Sequence, residues 1–203
     1  MSAKKAEEST EVTQQQQQQQ HTHCVKRLEY SVAQSRQVHK LIDALQNMGC
    51  SIPSDFLVCR QCPPSISGGF AVAVSSSGKA ADAKYKPQIV MCENGMLEKE
   101  SFEHTLVHEL VHAFDQCRSK IDWKNCLHHA CTEVRASAIS GECNLLHEIF
   151  RGNTKIRNGH QECVTRRATK SVKMNPYCQD IAADAVSAVF EACYRDKTGK
   201  VDN

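Results

Sequence analysis

Apolar residues recur along this chain with two different periods, and the changes of period divide it. After a polar head (residues 1–22, with a seven-glutamine run), Val25, Leu28, Val32, Val38, Leu41, Ile42 and Leu45 fall at helical spacing. They predict a first helix of about five turns, closed at Gly49. Residues 51–92 carry three short β-rich runs, 56–59, 69–74 and 88–92. Pro53, Pro63-Pro64, Gly68-Gly69, Gly78 and Pro87 bound them, and Asn94-Gly95 reads as a turn. Three such strands make a modest sheet that needs a helix across one face. Beyond residue 100 the helical period returns: in 101–117, in 126–141, in the stripe Leu145, Leu146, Ile149 and Phe150 ending near Gly152, and in 160–174. A last helix, Gln179 to Asp196, turns Ile181, Ala185, Val189 and Cys193 inward, and the tail beyond Lys197 is expected to fray. The polar head is expected to be a disordered Gln-rich tail, which leaves residues 23–203 as a single domain.

The segment SFEHTLVHELVHAFDQC (101–117) carries the chemistry. Its apolar side is Phe102, Leu106, Leu110, Ala113 and Phe114; its polar stripe is His104, His108, His112 and Asp115, with Ser101 or Asn94 as candidate caps. Residues four apart on a helix differ by only about 40°, so His108 and His112 project from one face one turn apart. That pitch suits two imidazoles holding one Zn2+ ion, with Glu109 beside the metal as the catalytic base. A catalytic zinc takes three protein ligands, so a third must come from elsewhere. Glu133 is the leading candidate. It lies on the next helix, and Cys126, Ala130, Ala136, Ser137 and Ser140 near its face are small enough to let two helices approach. Asp115, Asp122, His128 and His129 compete for the position; Asp115 also suits a hydrogen-bond partner behind a ligand, and His129 an oxyanion donor.

Composition sharpens the setting. The formal net charge is +2, which argues against a surface built for nucleic acid, although Arg166, Arg167, Lys170 and Lys173 form a basic side suited to anionic lipid headgroups. No apolar run approaches the ~20 residues of a membrane span, and residues 1–20 read neither as a secretory signal nor as an Arg-rich presequence. Yet there are 12 cysteines spread from Cys24 to Cys193. Such density implies disulfides and an oxidising compartment, and the mitochondrial intermembrane space reconciles that with the absence of a secretory signal. Cys59-x-x-Cys62 lacks a second close pair at zinc-ribbon spacing and reads as structural disulfide sulfur.

The runs His108–Asp115, Cys117-Arg118, Asp122-Trp123, His129–Ala136, Ser140–Cys143 and Gln161–Arg167 closely resemble one family. It is the mitochondrial inner-membrane metalloprotease family that processes and assembles an ATP synthase subunit, called in animals a Ku-binding protein family. The glutamine-rich head has no counterpart there. The resemblance implies an α+β, zincin-like metallopeptidase: a small sheet, then the HExxH helix and a helical C-terminal half, stapled by disulfides. It implies zinc on His108 and His112 and catalysis by Glu109, while Glu133 falls in the matching motif. It further implies a peripheral protein on the intermembrane-space side of the inner membrane, without a transmembrane segment. There it would remove the N-terminal extension of ATP synthase subunit a (subunit 6) and act as a chaperone in its assembly. The alternative reading is a non-proteolytic, disulfide-rich assembly chaperone for ATP synthase.

Overall fold

The computed structural model describes residues 2–74, 85–94, 98–153 and 158–200; Gly78 and Gly95, read above as turn positions, lie outside them. Helices α1 (Ser2–Gln34) and α2 (Arg36–Asn47) precede strands β1 (Leu57–Arg60), β2 (Gly68–Val74) and β3 (Tyr85–Cys92). Helices α3 (Lys99–Ser119), α4 (Cys126–Ile139), α5 (Leu145–Phe150), α6 (Gly159–Lys173) and α7 (Ala182–Arg195) follow, the last entered through a 3-10 turn. The architecture is mixed α+β, as the change of apolar period predicts.

Three expectations at the N-terminal side need correction or refinement. The expected first helix is two, because Ser35 adopts extended dihedrals and its side chain accepts from Val38 N–H, capping α2. The glutamine run is helical and belongs to α1. Glutamine is a good helix former, and the exposed run extends a helix that is anchored where Gln20 meets Gln61 and His21 pairs with Glu93. Helix α3 starts earlier than Ser101, which lies inside it, and Asn94 bonds the backbone of Cys62 at both N–H and C=O instead of capping.

The sheet order is β1-β3-β2, with β1 parallel and β2 antiparallel to β3. β2 is therefore an edge strand. Helix α3 lies across the sheet, and Ile89 and Met91 join Phe102, Leu106, Leu110 and Phe114 in one apolar cluster. Gly68 brings the β2 backbone against that helix: a Cβ there would stand 2.8 Å from Thr105 Cγ2. A second cluster joins α4, α6 and α7 through Val134, Val164, Val172 and Val186. Helix α4 is the shared wall, with Ala136 and Ile139 in the first cluster and Ala130, Val134 and Ala138 in the second.

All twelve cysteines pair, which agrees with disulfide use of Cys59 and Cys62, each with a different partner. Cys24–Cys59, Cys50–Cys117 and Cys62–Cys92 tie the first half; Cys126–Cys178, Cys131–Cys193 and Cys143–Cys163 tie the second. No disulfide crosses from one set to the other. What crosses is a buried ion pair, Asp115 on α3 with Arg135 on α4 (Nε to both oxygens, 3.0 Å). Arg135 also donates to the carbonyls of Asp196 and Thr198, while Arg118 pairs with Asp196. The segment after α7 is thus pinned instead of frayed, with Gln37 donating to the Gly199 carbonyl. Ile181, expected inward, is half exposed, because α7 proper starts only after it.

Two outcomes follow. A denatured, unreduced sample should titrate with no free thiol and a reduced one with twelve, since all 12 are bonded. Arg135→Met should cost about 3 kcal/mol in denaturant unfolding, because it leaves the buried Asp115 carboxylate with the more exposed Arg118 as its cation. Asp115→Asn combined with Arg135→Met should cost less than Arg135→Met alone.

Candidate metal centre

Successive turns of α3 present His108 and His112 toward α4, and Glu133 on α4 meets them. His108 Nε2 is 3.3 Å from Glu133 Oε2, and His112 Nε2 is 3.4 Å from Glu133 Oε1. One donor atom from each of the three lies within 4.8 Å of the others. Donors arranged tetrahedrally about 2 Å from one small divalent ion stand ~3.3 Å apart, so the observed spacing fits such an ion. Glu133 Oε2 is buried and makes no hydrogen bond, the condition of an oxygen left free for a cation.

The polar stripe of α3 does not act as one set. His104 turns to His147 on α5 and packs against Gly141. Asp115 lies one step behind the centre: Thr132 donates its hydroxyl to Asp115 Oδ2 (2.9 Å) and faces His112 Nδ1 (2.9 Å). With its only proton committed to Asp115, Thr132 must accept from His112 Nδ1–H, which turns Nε2, the nitrogen a metal would take, toward Glu133. The other histidine is backed similarly, with His108 Nδ1 3.3 Å from Glu142 Oε1 and Glu142 in turn paired with Arg167. His129, weighed above as an oxyanion donor, accepts from Asn175 at Nδ1 (3.0 Å) and so donates from Nε2 to Glu133 Oε1 (3.3 Å). Among the remaining competitors, His128 bonds the Asp122 backbone N–H and that loop lies outside the donor group.

Burial and charge divide the carboxylates. Burial raises the Glu109 carboxyl above its ordinary range, an effect the neighbouring His108 and His112 only partly offset, and the Phe70 N–H of β2 bonds it. Burial would also raise Glu133, but the charge of His112 and the contacts with His108, His112 and His129 hold it well below its usual value. His108 shows the converse: burial opposes its protonation, yet the adjacent Glu133 and Glu142 hold it well above 6.5. The centre therefore attracts positive charge.

A cleft of about 580 Å3 opens over these groups. The β2 edge at Gly68, Gly69 and Phe70 forms one wall, and Arg167 and Lys170 of α6 with Met174 just after it form the other. Trp123 closes the floor, its ring edge-on to His112 and His129 at 5.7 and 5.5 Å between centroids, with its N–H on Gln116. Sequence reasoning assigned no role to Thr132, Glu142, Trp123 or Asn175. Thr132, Glu142 and Trp123 were at least legible as parts of the family motifs; nothing in the spacing singled out Asn175.

The profile of the Peptidase M76 family matches residues 22–199. The chain is 38% identical over 177 residues to the mitochondrial inner membrane protease atp23 of Schizosaccharomyces pombe, covering 86% of this chain and 89% of that protein. It is 37% identical over 176 residues to the human mitochondrial inner membrane protease ATP23 homolog, covering 85% of this chain and 67% of that one. For the Yarrowia lipolytica protease ATP23 the identity is 36%, over 85% of this chain but only 65% of the relative's length. No solved structure matches the chain.

Thr132→Val removes the hydroxyl between His112 and Asp115 at nearly constant volume, and should weaken divalent-metal affinity roughly 10–100-fold, with Thr132→Ser restoring it. Glu133→Ala should abolish stoichiometric metal retention in elemental analysis; full retention would give the third position to another group.

Proposed function

We propose that this chain, which belongs to the Peptidase M76 family, is a zinc metalloendopeptidase with a zincin-like fold in a single domain spanning residues 23–203. The observation that carries the proposal is the convergence of His108, His112 and Glu133 beside a buried Glu109 whose carboxyl is shifted upward. His108, His112 and Glu133 would hold the ion; two imidazoles and a carboxylate are a common catalytic zinc set. When bound, zinc acidifies water toward a pKa of ~7 and polarises a carbonyl.

The protein's own groups supply the rest. Glu109, its carboxyl raised by burial and held by the Phe70 N–H, accepts a proton from the attacking water and passes it to the departing amine. Glu133 stays ionised throughout because the imidazoles around it favour its charge. Thr132 and Glu142 keep the ring orientations constant. The outer edge of β2, beside which no further strand lies among the described residues, runs along the cleft, where an extended peptide can add as a further strand and be held by backbone hydrogen bonds.

The place of action follows from relatives named as mitochondrial inner membrane proteases. Twelve paired cysteines favour the intermembrane-space side. Among the described residues no helix is long and apolar enough to cross a membrane. The family resemblance points to the N-terminal extension of ATP synthase subunit a as substrate and to assistance in that subunit's assembly.

Glu109→Gln should lower the cleavage rate at least ~100-fold with zinc content and unfolding midpoint unchanged. Normal processing of the subunit a precursor by that variant would remove the proteolytic assignment. Rescue of ATP synthase assembly by the cleavage-dead variant would assign the chaperone role to the fold itself.

A further inference from the structure

Helix α5 is amphipathic with its faces reversed. The sequence period suggests that Leu145, Leu146, Ile149 and Phe150 continue the core, yet all four are exposed, Leu146 by 67% and Phe150 by 88%. The buried residue of the helix is instead Glu148, gripped by Arg151, Asn153 and Arg166 at 2.8–3.0 Å. The helix cannot roll its apolar side inward. Asn144 caps it through His147 N–H, and the Cys143–Cys163 disulfide fastens its base to α6. A rigid ridge of leucine, isoleucine and phenylalanine facing water marks a contact surface.

The charges beside the ridge are sorted by depth. Glu142 and Glu148 are buried, whereas the side chains of their partners Arg151, Arg166 and Arg167 are 40–49% exposed. The carboxylates hold these guanidiniums from beneath, so on the side of Arg151, Arg166 and Arg167 the surface next to the apolar ridge is cationic, while the exposed Glu100 pairs with His147 of the same helix. Apolar tips flanked by arginines match the acyl boundary and phosphates of an anionic bilayer.

We propose that α5 is the membrane-contact element of this protein, with Leu146, Ile149 and Phe150 entering the interfacial layer of an anionic bilayer and Arg151 and Arg166 meeting its phosphates. The proposal rests on the reading that the chain works at a membrane surface, and adds which surface touches it. The ridge is also coupled to the metal centre: Arg151 donates to the Glu142 carbonyl at 2.8 Å, and Glu142 faces His108. A polypeptide leaving the bilayer beside α5 would meet the cleft wall at Arg167.

The test is vesicle flotation of the full chain, with phosphatidylcholine vesicles containing cardiolipin and with phosphatidylcholine alone. The wild type should float with the anionic vesicles and not with the neutral ones. Leu146→Ser/Phe150→Ser should bind them at least tenfold more weakly while cleaving a soluble peptide at the wild-type rate. Phe150→Trp should give a blue-shifted emission on adding the anionic vesicles. Failure of the wild type to bind any vesicle would overturn the membrane-surface reading itself. Equal binding by wild type and double serine variant, or an unshifted Phe150→Trp emission on vesicles that bind, would overturn only the assignment of α5. Wild-type dimers in sedimentation that the double variant loses, without vesicle binding, would make the ridge an interface between copies and also overturn it.

Discussion

The structure depends on one buried charge. Asp115 sits between α3 and α4 with almost no access to water, and a lone carboxylate there would be strongly unfavourable. Arg135 answers it from α4, and the remaining guanidinium nitrogens are satisfied by backbone carbonyls after α7. The same carboxylate accepts the Thr132 hydroxyl that receives the His112 proton. A single residue therefore sets the contact between two helices, anchors the C-terminal segment and fixes the tautomer of a candidate ligand. Removing the Asp115 carboxylate would weaken all three together, leaving Arg118 and Gln37 to hold the C-terminal segment and the shared apolar cluster to join the helices.

That dependence explains the distribution of the disulfides. Three staple the chain before residue 118 and three staple it after residue 125, closing loops that should each stabilise the fold by about 3–4 kcal/mol. Each half is held covalently, while the junction between them is not. His108 and His112 come from one half and Glu133 from the other. The centre is thus built at the seam, where geometry relies on the ion pair, on α4 shared by both apolar clusters, and on whatever cation the donors share. In such an arrangement binding energy of a metal and docking energy of the halves are the same quantity.

The parts legible in the sequence were those with a one-dimensional signature. Histidines four apart on a helix must share a face, so His108 and His112 converge whatever else the fold does, and small residues around Glu133 announced a close helix pair. Strand positions and the helical C-terminal half followed from the apolar period. Periodicity fails where the answer is a sign or a partner. It located the stripe of α5 without telling whether the stripe faces the core or water; Glu148 decided that, by being more favourably placed inside with two arginines than outside. It ran one helix through Ser35, because a serine that caps and a serine that points to solvent look alike. It left the tail free, since nothing local shows that Arg135, twenty residues beyond Asp115, reaches its carbonyls.

The site itself is an exercise in making equal groups unequal. Glu109 and Glu133 are both carboxylates buried against the same two imidazoles, and sequence alone gives no reason for different behaviour. Their environments do. Glu133 receives His108, His112 and His129 around its two oxygens, so its charge is compensated on every side and its proton is lost at unusually low pH. Glu109 has a backbone N–H and only the lateral influence of the imidazoles, so desolvation prevails and its carboxyl moves upward. One is suited to remain an anion beside a cation, the other to take and return a proton. The edge strand that lines the cleft supplies the N–H that holds Glu109 and offsets part of its desolvation, which places substrate binding and proton transfer on the same short piece of backbone.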